Sequence, residues 1–394
     1  MTSTASLVLL PLDTLFFRDG RPFDVDDEGL VEAASLFPPH PSMVAGALRA
    51  AYGRRSGRWP GFGRWNDPAL TSWLGDGGCL GRMRYRGPFL LQGSGGLGPF
   101  DLLFPCPAAL LGRRPDAQEE ASRDFGTYAD IRLLAPGSAH ALSTDCDGRV
   151  PAAELPGDRT EEFESLSGRW ISLPLMRQVL AGGPFRRLPA ILASSDVFRQ
   201  EKRLGLARSF EQHVAFDGQL YATAKVRLKE NYALGAIVES RETDDLSLSG
   251  ILPLGGESRA VGVETLAGRD LEREIASALP PAEAFAGQKT TVRYTVVLLT
   301  PARIDPTTNE IDGLPGRIVA GAHDRALPIG MWSVDAPGRM SLFYPAGTTW
   351  FCEVDSEDGA AVHEELEAAR RTGLGAQAGL GFGEFVYGLW PQAI

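Results

Sequence analysis

The residues with most chemical capacity near the amino end are Asp13, Arg18, Asp19 and Arg21, interleaved with Phe16, Phe17 and Phe23. Guanidinium groups bind phosphate bidentately and aromatic rings stack on bases, so this alternation suits a phosphate chain with exposed bases. The same residues also fit an internal Asp–Arg network that pins a long loop to its domain. Downstream, His40 and Ser42 flank Pro41, where a helix is expected to begin. Free N–H groups and positive partial charge at its amino end would favour an anion. Arg49 lies off the apolar face formed by Met43, Val44, Ala47, Leu48 and Ala51. Taken alone, His40 fits loop packing better than the role of a base or ligand.

A second basic feature lies between Leu80 and Leu91, where Arg82, Arg84 and Arg86 alternate with Met83 and Tyr85. On a strand this alternation puts three guanidinium groups on one face, and such a row repels itself without anions. A phosphate-lined groove would relieve the repulsion; a solvated edge hairpin protected by charge accounts for the pattern equally well. Glycines at 373, 375, 379, 381 and 383 form a third feature. Their order is helix, glycine loop, strand, the reverse of dinucleotide and P-loop sites, and the spacing lacks Gly-x-Gly-x-x-Gly and Lys-Ser/Thr. No nucleotide cofactor is therefore expected. Repeated glycine instead lets backbone N–H groups approach a phosphate chain, or forms a packed turn after a helix C-cap at Gly373.

General base catalysis of RNA cleavage needs a group titrating near neutrality. The histidines are His40, His140, His213, His323 and His363, and none sits beside a Lys, Tyr or Ser constellation; His363 falls in an acidic helix. Asp244 and Asp245 have the residue type for metal chemistry but lie in a polar, loop-like stretch. Cys79, Cys106, Cys146 and Cys352 are too scattered for a zinc site, and are expected to be reduced. Neither a catalytic residue nor a metal is expected.

The elements that must position these groups follow an α+β pattern. Ser6 to Leu12 reads as a strand, a helix follows from Pro41, and Trp170 to Leu180 reads as a helix stopped at Gly182-Gly-Pro. Leu220 to Leu228 and Tyr232 to Glu239 are expected to pair as a hairpin. A helix at Leu271 to Leu279, strands at Thr291 to Thr300 and Thr348 to Val354, a helix at Ala360 to Arg371 and a strand at Phe385 to Trp390 complete the chain. Two ferredoxin-like units are sketched, 1–205 and 206–394, with loop insertions at 54–98 and 113–162.

At 394 residues, 43% hydrophobic and 23% charged, the chain is long and apolar enough for two packed domains. A formal net charge of −11 argues against wrapping nucleic acid with the whole surface, while leaving room for a local basic groove. Lys202, Lys225, Lys229 and Lys289 are the only lysines, so arginine carries nearly all the positive charge. No apolar run approaches the roughly 18 residues of a spanning helix, and no basic leader precedes Ser6; a cytoplasmic location is expected.

Several stretches resemble one family. They are Leu15-Phe-Phe-Arg-Asp-Gly-Arg-Pro-Phe23, then Phe37-Pro-Pro-His-Pro-Ser42 with the helix Met43 to Tyr52, Glu201-Lys-Arg-Leu-Gly-Leu206 and Leu254-Gly-Gly-Glu-Ser-Arg259. The run Arg317 to Glu353, with Ile-Gly-Met-Trp and Tyr-Pro-Ala-Gly-Thr, and the glycine loop Gly373 to Gly383 complete the set. The chain is similar to the RAMP-superfamily subunit of type III-B (Cmr) CRISPR effector complexes that partners the large polymerase-like subunit. The resemblance implies two ferredoxin-like, RRM-like RAMP domains with large loop insertions and a non-enzymatic role. It implies a subunit that holds the 5′ tag of the CRISPR RNA (crRNA), docks on the Cas10-type large subunit and contacts a neighbouring backbone RAMP subunit. On that reading Arg18, Arg21, His40, Ser42 and Arg49 are the first candidates for the RNA surface. Lys225, Gly375, Gly379 and Gly381 come second. The rivals are a metal-independent endoribonuclease of the same superfamily and a protein adaptor that touches no RNA.

Overall fold

The computed structural model describes residues 2–18, 31–63, 65–76, 79–93, 99–115, 128–136, 153–154, 162–185, 191–208, 215–305, 307–332 and 337–391. The strand Ser3–Pro11 is apolar at consecutive positions, as a strand covered on both faces must be. Leu7 and Leu9 feed one core with Val44, Leu48 and Tyr52 of the helix Pro41–Arg55, while Val8 points into the other with Ile171 and Leu175. Pro41 occupies the first turn of that helix, and Val44, Leu48 and Tyr52 recur every four residues along its buried stripe.

Seven strands build the larger sheet, in the spatial order Trp170–Ser172, Phe100–Pro105, Met83–Gly93, Tyr232–Ser240, Ser3–Pro11, Ala260–Thr265 and Ser249–Pro253, all neighbours antiparallel. Within it, Ser3–Pro11, Met83–Gly93, Tyr232–Ser240 and Ala260–Thr265 stand in the 4-1-3-2 order of a ferredoxin-like unit, with the helix Pro41–Arg55 between the first two. The second sheet repeats the order with Thr291–Leu298, Arg317–Ala322, Thr349–Asp355 and Phe385–Leu389, and the helix Gly359–Thr372 joins the last two. Between its first two strands the described residues, 299–305 and 307–316, form no helix.

Several local expectations change. Tyr232–Ser240 does not form a hairpin with the preceding strand; it is a central strand between Ser3–Pro11 and Met83–Gly93. Its run of apolar residues is buried on both faces, which a two-stranded hairpin could not provide. Ala215–Leu228 pairs instead with Phe198–Arg208. Met83–Gly93 is likewise interior rather than a solvated edge. Trp170–Ser172 is a strand, and the helix starts at Leu173. Because strands 232–240 and 260–265 complete the first sheet, a division at residue 205 falls inside a long insertion of the first unit. The two sheets part between Thr265 and Thr291.

What holds the two sheets together is partly apolar and partly ionic. Val297, Leu299 and Val386 of the second unit share a core with Val8, Phe104 and Ile171 of the first. Beside that core, Glu384 accepts from Arg86 Nη2 at 2.6 Å and Nε at 2.9 Å, and from Arg84 Nη2 at 3.0 Å. Arg86 also meets Glu272, which accepts from Arg370 Nη2 at 2.8 Å. Burial opposes the charge of Arg86, but Glu384, Glu272 and Glu239 outweigh it and hold its pKa above the ordinary guanidinium value. Arg86 is 2% and Glu384 1% exposed, so water cannot compensate either charge once its partner is removed. Glu384→Ala is expected to cost about 3–5 kcal/mol in a urea titration, as removal of one member of a buried pair does. A decrease below about 1 kcal/mol would show that the network contributes no anchoring.

Candidate nucleic-acid interface

Residues 13–18 leave the first strand and run against two distant segments. Leu15 exchanges backbone hydrogen bonds with Val226 at 2.7 and 2.9 Å, and Phe17 N–H donates to Ser35 Oγ at 2.7 Å. Phe16 and Phe17 are buried rather than displayed for stacking. The reason is the close approach of Gly255 and Gly256: Gly256 N–H donates to the Phe16 carbonyl at 2.8 Å, and a Cβ on Gly255 (φ +87°) would stand 2.5 Å from that same oxygen. Glu257 and Ser258 continue in the left-handed region at φ +54° and +55°, strain of the kind that marks constrained functional turns.

Asp13 ties the arrangement together. Its Oδ1 accepts from Arg227 Nη2 at 2.7 Å and its Oδ2 from Arg259 Nη1 at 2.8 Å. Arg227 also pairs with Glu201, and Lys225 with Glu257. The opening loop, the Glu201 to Leu206 stretch and the Leu254 to Arg259 stretch, remote in sequence, thus meet in one cluster of three acids and three bases. The Thr14 backbone N–H and the Arg227 side chain hold the Asp13 carboxyl below the usual carboxylate range.

The outer strand of this hairpin carries the surplus charge. Alternation sets Arg199, Glu201 and Arg203 on one face, with Lys202 on the other. Glu201 lies 3.6 Å from Arg199 and 3.8 Å from Arg203 while also serving Arg227, so one carboxylate answers three guanidinium groups. Arg199 and Arg203 are exposed, and so is Arg18, whose backbone bridges Ser35 at the foot of the opening loop. On a chain of net charge −11, this is a local positive face along an extended hairpin, a shape that a single strand can follow.

The whole-chain comparison decides which family built it. A family model described as CRISPR-associated protein (Cas_Cmr3) matches residues 7–390. The chain belongs to that family. It is a CRISPR-associated protein of the Cmr3 type with an α+β fold, as expected from the sequence. A chain of the type III-B Cmr-beta complex bound to cognate target RNA and AMPPnP is similar at 14% identity, covering 88% of this chain and 86% of that one, with a TM-score of 0.44. A chain of the same complex bound to cognate target RNA alone is similar at 15% identity over the same shares, with a TM-score of 0.45. A chain of the Csm3-Csm4 subcomplex of the type III-A interference complex is similar at 12% identity, covering 90% and 97%, with a TM-score of 0.36. No curated protein matches the chain.

In this Cmr3-family chain the residues singled out from sequence fall into two groups. Arg18 lies beside the hairpin cluster, and Lys225 lies beneath it, buried against Glu257. Arg21 lies outside the described residues. His40, Ser42, Arg49 and the glycines gather instead around the helix Pro41–Arg55. His40 is its N-cap residue, buried, and burial pushes its pKa down to about 4, so the ring is neutral. Ser42 is half-buried in the first turn. Arg49 donates to the Leu74 carbonyl at 2.9 Å and the Asp76 carbonyl at 2.8 Å, with its guanidinium 5.5 Å from the Trp65 ring centre. A Cβ on Gly381 would stand 2.5 Å from the Gly87 carbonyl, one on Gly375 2.3 Å from the Arg303 carbonyl, and one on Gly379 2.6 Å from Leu80 Cδ1. Gly381 therefore lets the loop press onto the strand Met83–Gly93 and the helix start, while Gly379 and Gly375 let it approach Leu80 and Arg303.

Arg82, Arg84 and Arg86 answer carboxylates of this chain: Asp244 and Glu242, Glu239 and Glu384, and Glu384 with Glu272. Asp244 is bound by Arg82 and Ser240, and Asp245 sits by Arg55. His363 lies 3.1 Å from the Tyr387 hydroxyl, and His323 lies 2.9 Å from the Asp324 carbonyl; His140 and His213 are outside the described residues. Among the described residues no group of acids, histidines and cysteines is placed to hold a metal ion, and no helix is long and apolar enough to cross a membrane. Arg199 is an exposed residue of this charged face that the sequence does not announce. Its signal is the Arg-x-Glu-x-Arg alternation on a strand, hidden because 201–210 carries too few apolar residues to reveal one.

Asp13 has a folded-state pKa below its ordinary 3.8, so its contribution is present above that value and disappears as pH falls through the lower folded one. Asp13→Asn is therefore expected to be less stable than wild type at pH 6, with the gap closing below about pH 3.8. Urea titrations at a series of pH values check it; a gap independent of pH would mean the carboxylate charge is idle.

Proposed function

We propose that this chain holds the 5′ tag of a crRNA along the 13–18 loop and the Phe198–Arg208 face, without cutting it. In the same assembly it docks on the Cas10-type large subunit and touches a neighbouring backbone RAMP subunit. The observation that carries the reading is the convergence through Asp13: three stretches that resemble the tag-holding family are drawn to one place and leave Arg18, Arg199 and Arg203 facing outward. A single-stranded tag suits such a surface, because its backbone can follow an extended strand while arginines pair with successive phosphates. The non-catalytic part is supported by the burial of His40, which keeps its ring off the exposed face and pushes its pKa down to about 4, making it a weak base. Membership of a Cmr family supports the two protein partners.

The test uses the full chain co-purified with its large partner, and guide RNA with an intact or scrambled 5′ tag. Arg199→Ala plus Arg203→Ala is expected to weaken binding of intact-tag RNA at least tenfold. The slope of log K against log salt should shrink by about 0.7 for each phosphate that the two arginines no longer neutralise. The RNA should remain full length throughout. Equal binding of both RNAs by both proteins would favour an adaptor, and cleavage of a repeat RNA by the purified chain would favour an endoribonuclease.

A further inference from the structure

Between the two sheets, beside the hairpin but separate from its charged face, lies a cavity of about 270 Å3. Its walls are largely apolar, leucine and proline for the most part, with the rings of Phe37, Phe89, Phe104 and Trp170 among them. Phe37 links it to the hairpin: its ring centre is 6.1 Å from that of Trp170 and 4.8 Å from that of Phe198, the first residue of the hairpin. His40 borders the same space. It is only 6% exposed, and its side chain does not cap its helix, which leaves the ring at the cavity wall.

The cavity's charge and size narrow the ligand. The bordering guanidinium, Arg169, is turned toward Glu164 at 3.5 Å and lies 5.4 Å from the Tyr128 ring centre. The bordering carboxylate, Asp324, accepts from Ser167 Oγ at 3.3 Å and would repel a phosphate. This lining favours an uncharged group over a phosphate. The volume falls just below the roughly 300–1,000 Å3 of drug-sized pockets, room for a single ring system. A neutral imidazole offers one donor or acceptor at each nitrogen, which suits the edge of a heteroaromatic ring.

We propose that this cavity receives one unpaired nucleobase of the bound guide RNA, stacked among Phe37, Phe89 and Trp170 and hydrogen-bonded to His40. Bases splayed from a single strand into aromatic slots are a common means of reading RNA. The proposal deepens the tag-holding reading and rests on it for the source of the base. Three segments that share no motif, Phe37-Pro-Pro-His, the Ser167 to Trp170 turn and the Pro345-Ala346 turn, are brought together to make the slot.

Two arms test it. In the first, tag RNAs carrying one abasic position each are bound to the full chain co-purified with its large partner, wild type against Ala346→Phe, which fills the slot. One position is expected at which base removal weakens wild-type binding at least tenfold, with that penalty absent in the filled variant. A flat abasic scan, or a penalty that survives filling, overturns the proposal. Ser194→Phe fills the slot from another wall and takes the place of Ala346→Phe if that variant does not fold. In the second arm, free adenosine, guanosine, cytidine and uridine are presented to the full chain and followed by saturation-transfer NMR. Signals in wild type that vanish in the filled variant support the slot even where no tag RNA binds, an outcome that would sink the tag reading alone. A flat abasic scan on tag RNA that does bind overturns the slot alone, whatever the nucleosides show. Dissociation of the large subunit from the filled variant, with a flat abasic scan, would assign the slot to a protein side chain and overturn the nucleobase.

Discussion

The carboxylate of Glu384 sets the relation between the two halves of this molecule. It is 1% exposed, and it accepts from Arg84 and Arg86 of the first sheet. Its own backbone N–H reaches Thr300 Oγ1 at 2.9 Å, and its carbonyl accepts from Leu299 N–H at 2.7 Å. One residue therefore fastens a strand of the first unit to the strand start of the second. Buried pairs of this kind stabilise little relative to apolar packing, but they admit few alternative alignments. The apposition they impose brings residues 299–301 and 345–346 against 88–90 and 102–106, which is how the aromatic slot comes to exist.

Charge is handled differently in two places. At the sheet junction, arginines and carboxylates answer one another inside the chain, with Glu272 and Glu367 held ionised below the usual glutamate range against the cost of burial. At the hairpin the balance is uneven, because Glu201 is shared by Arg199, Arg203 and Arg227. An acidic chain can thus present a local cationic face without becoming a general nucleic-acid binder. Association would be steered to that face and would weaken with salt.

How much of this is legible in the sequence depends on the range of the interaction. The strand at Ser6 to Leu12, the helix from Pro41 and the helix, glycine loop, strand order at the end all follow from local pattern, and all are present. The glycine loop's purpose is not local: Gly381 and Gly375 are required by carbonyls of Gly87 and Arg303, which no spacing rule brings to mind. Alternation reveals the arginines at 82, 84 and 86 as a self-repelling row, but the anions of Arg84 and Arg86 are Glu239, Glu272 and Glu384, contributed from up to 300 positions away. Local pattern gives Tyr232–Ser240 the wrong partner because hairpins are the default for adjacent strands, and only the long insertion before it makes room for a central position. His40 is visible as a residue type, yet its slot is assembled from several separate stretches and leaves no trace in any one of them.

The most direct measurement of the central claim, that the Asp13 cluster rather than the sheet junction faces the RNA, is a cross-link map. Guide RNA with 4-thiouridine at successive tag positions is assembled with the full effector complex, irradiated, and the cross-linked peptides of this chain are identified. The account predicts that they come from residues 13–18, 198–208 and 254–259, with the slot-lining segments 36–40 and 167–170 at one tag position. Cross-links concentrated on residues 82–86 and 370–384 would contradict it and place the RNA at the sheet junction.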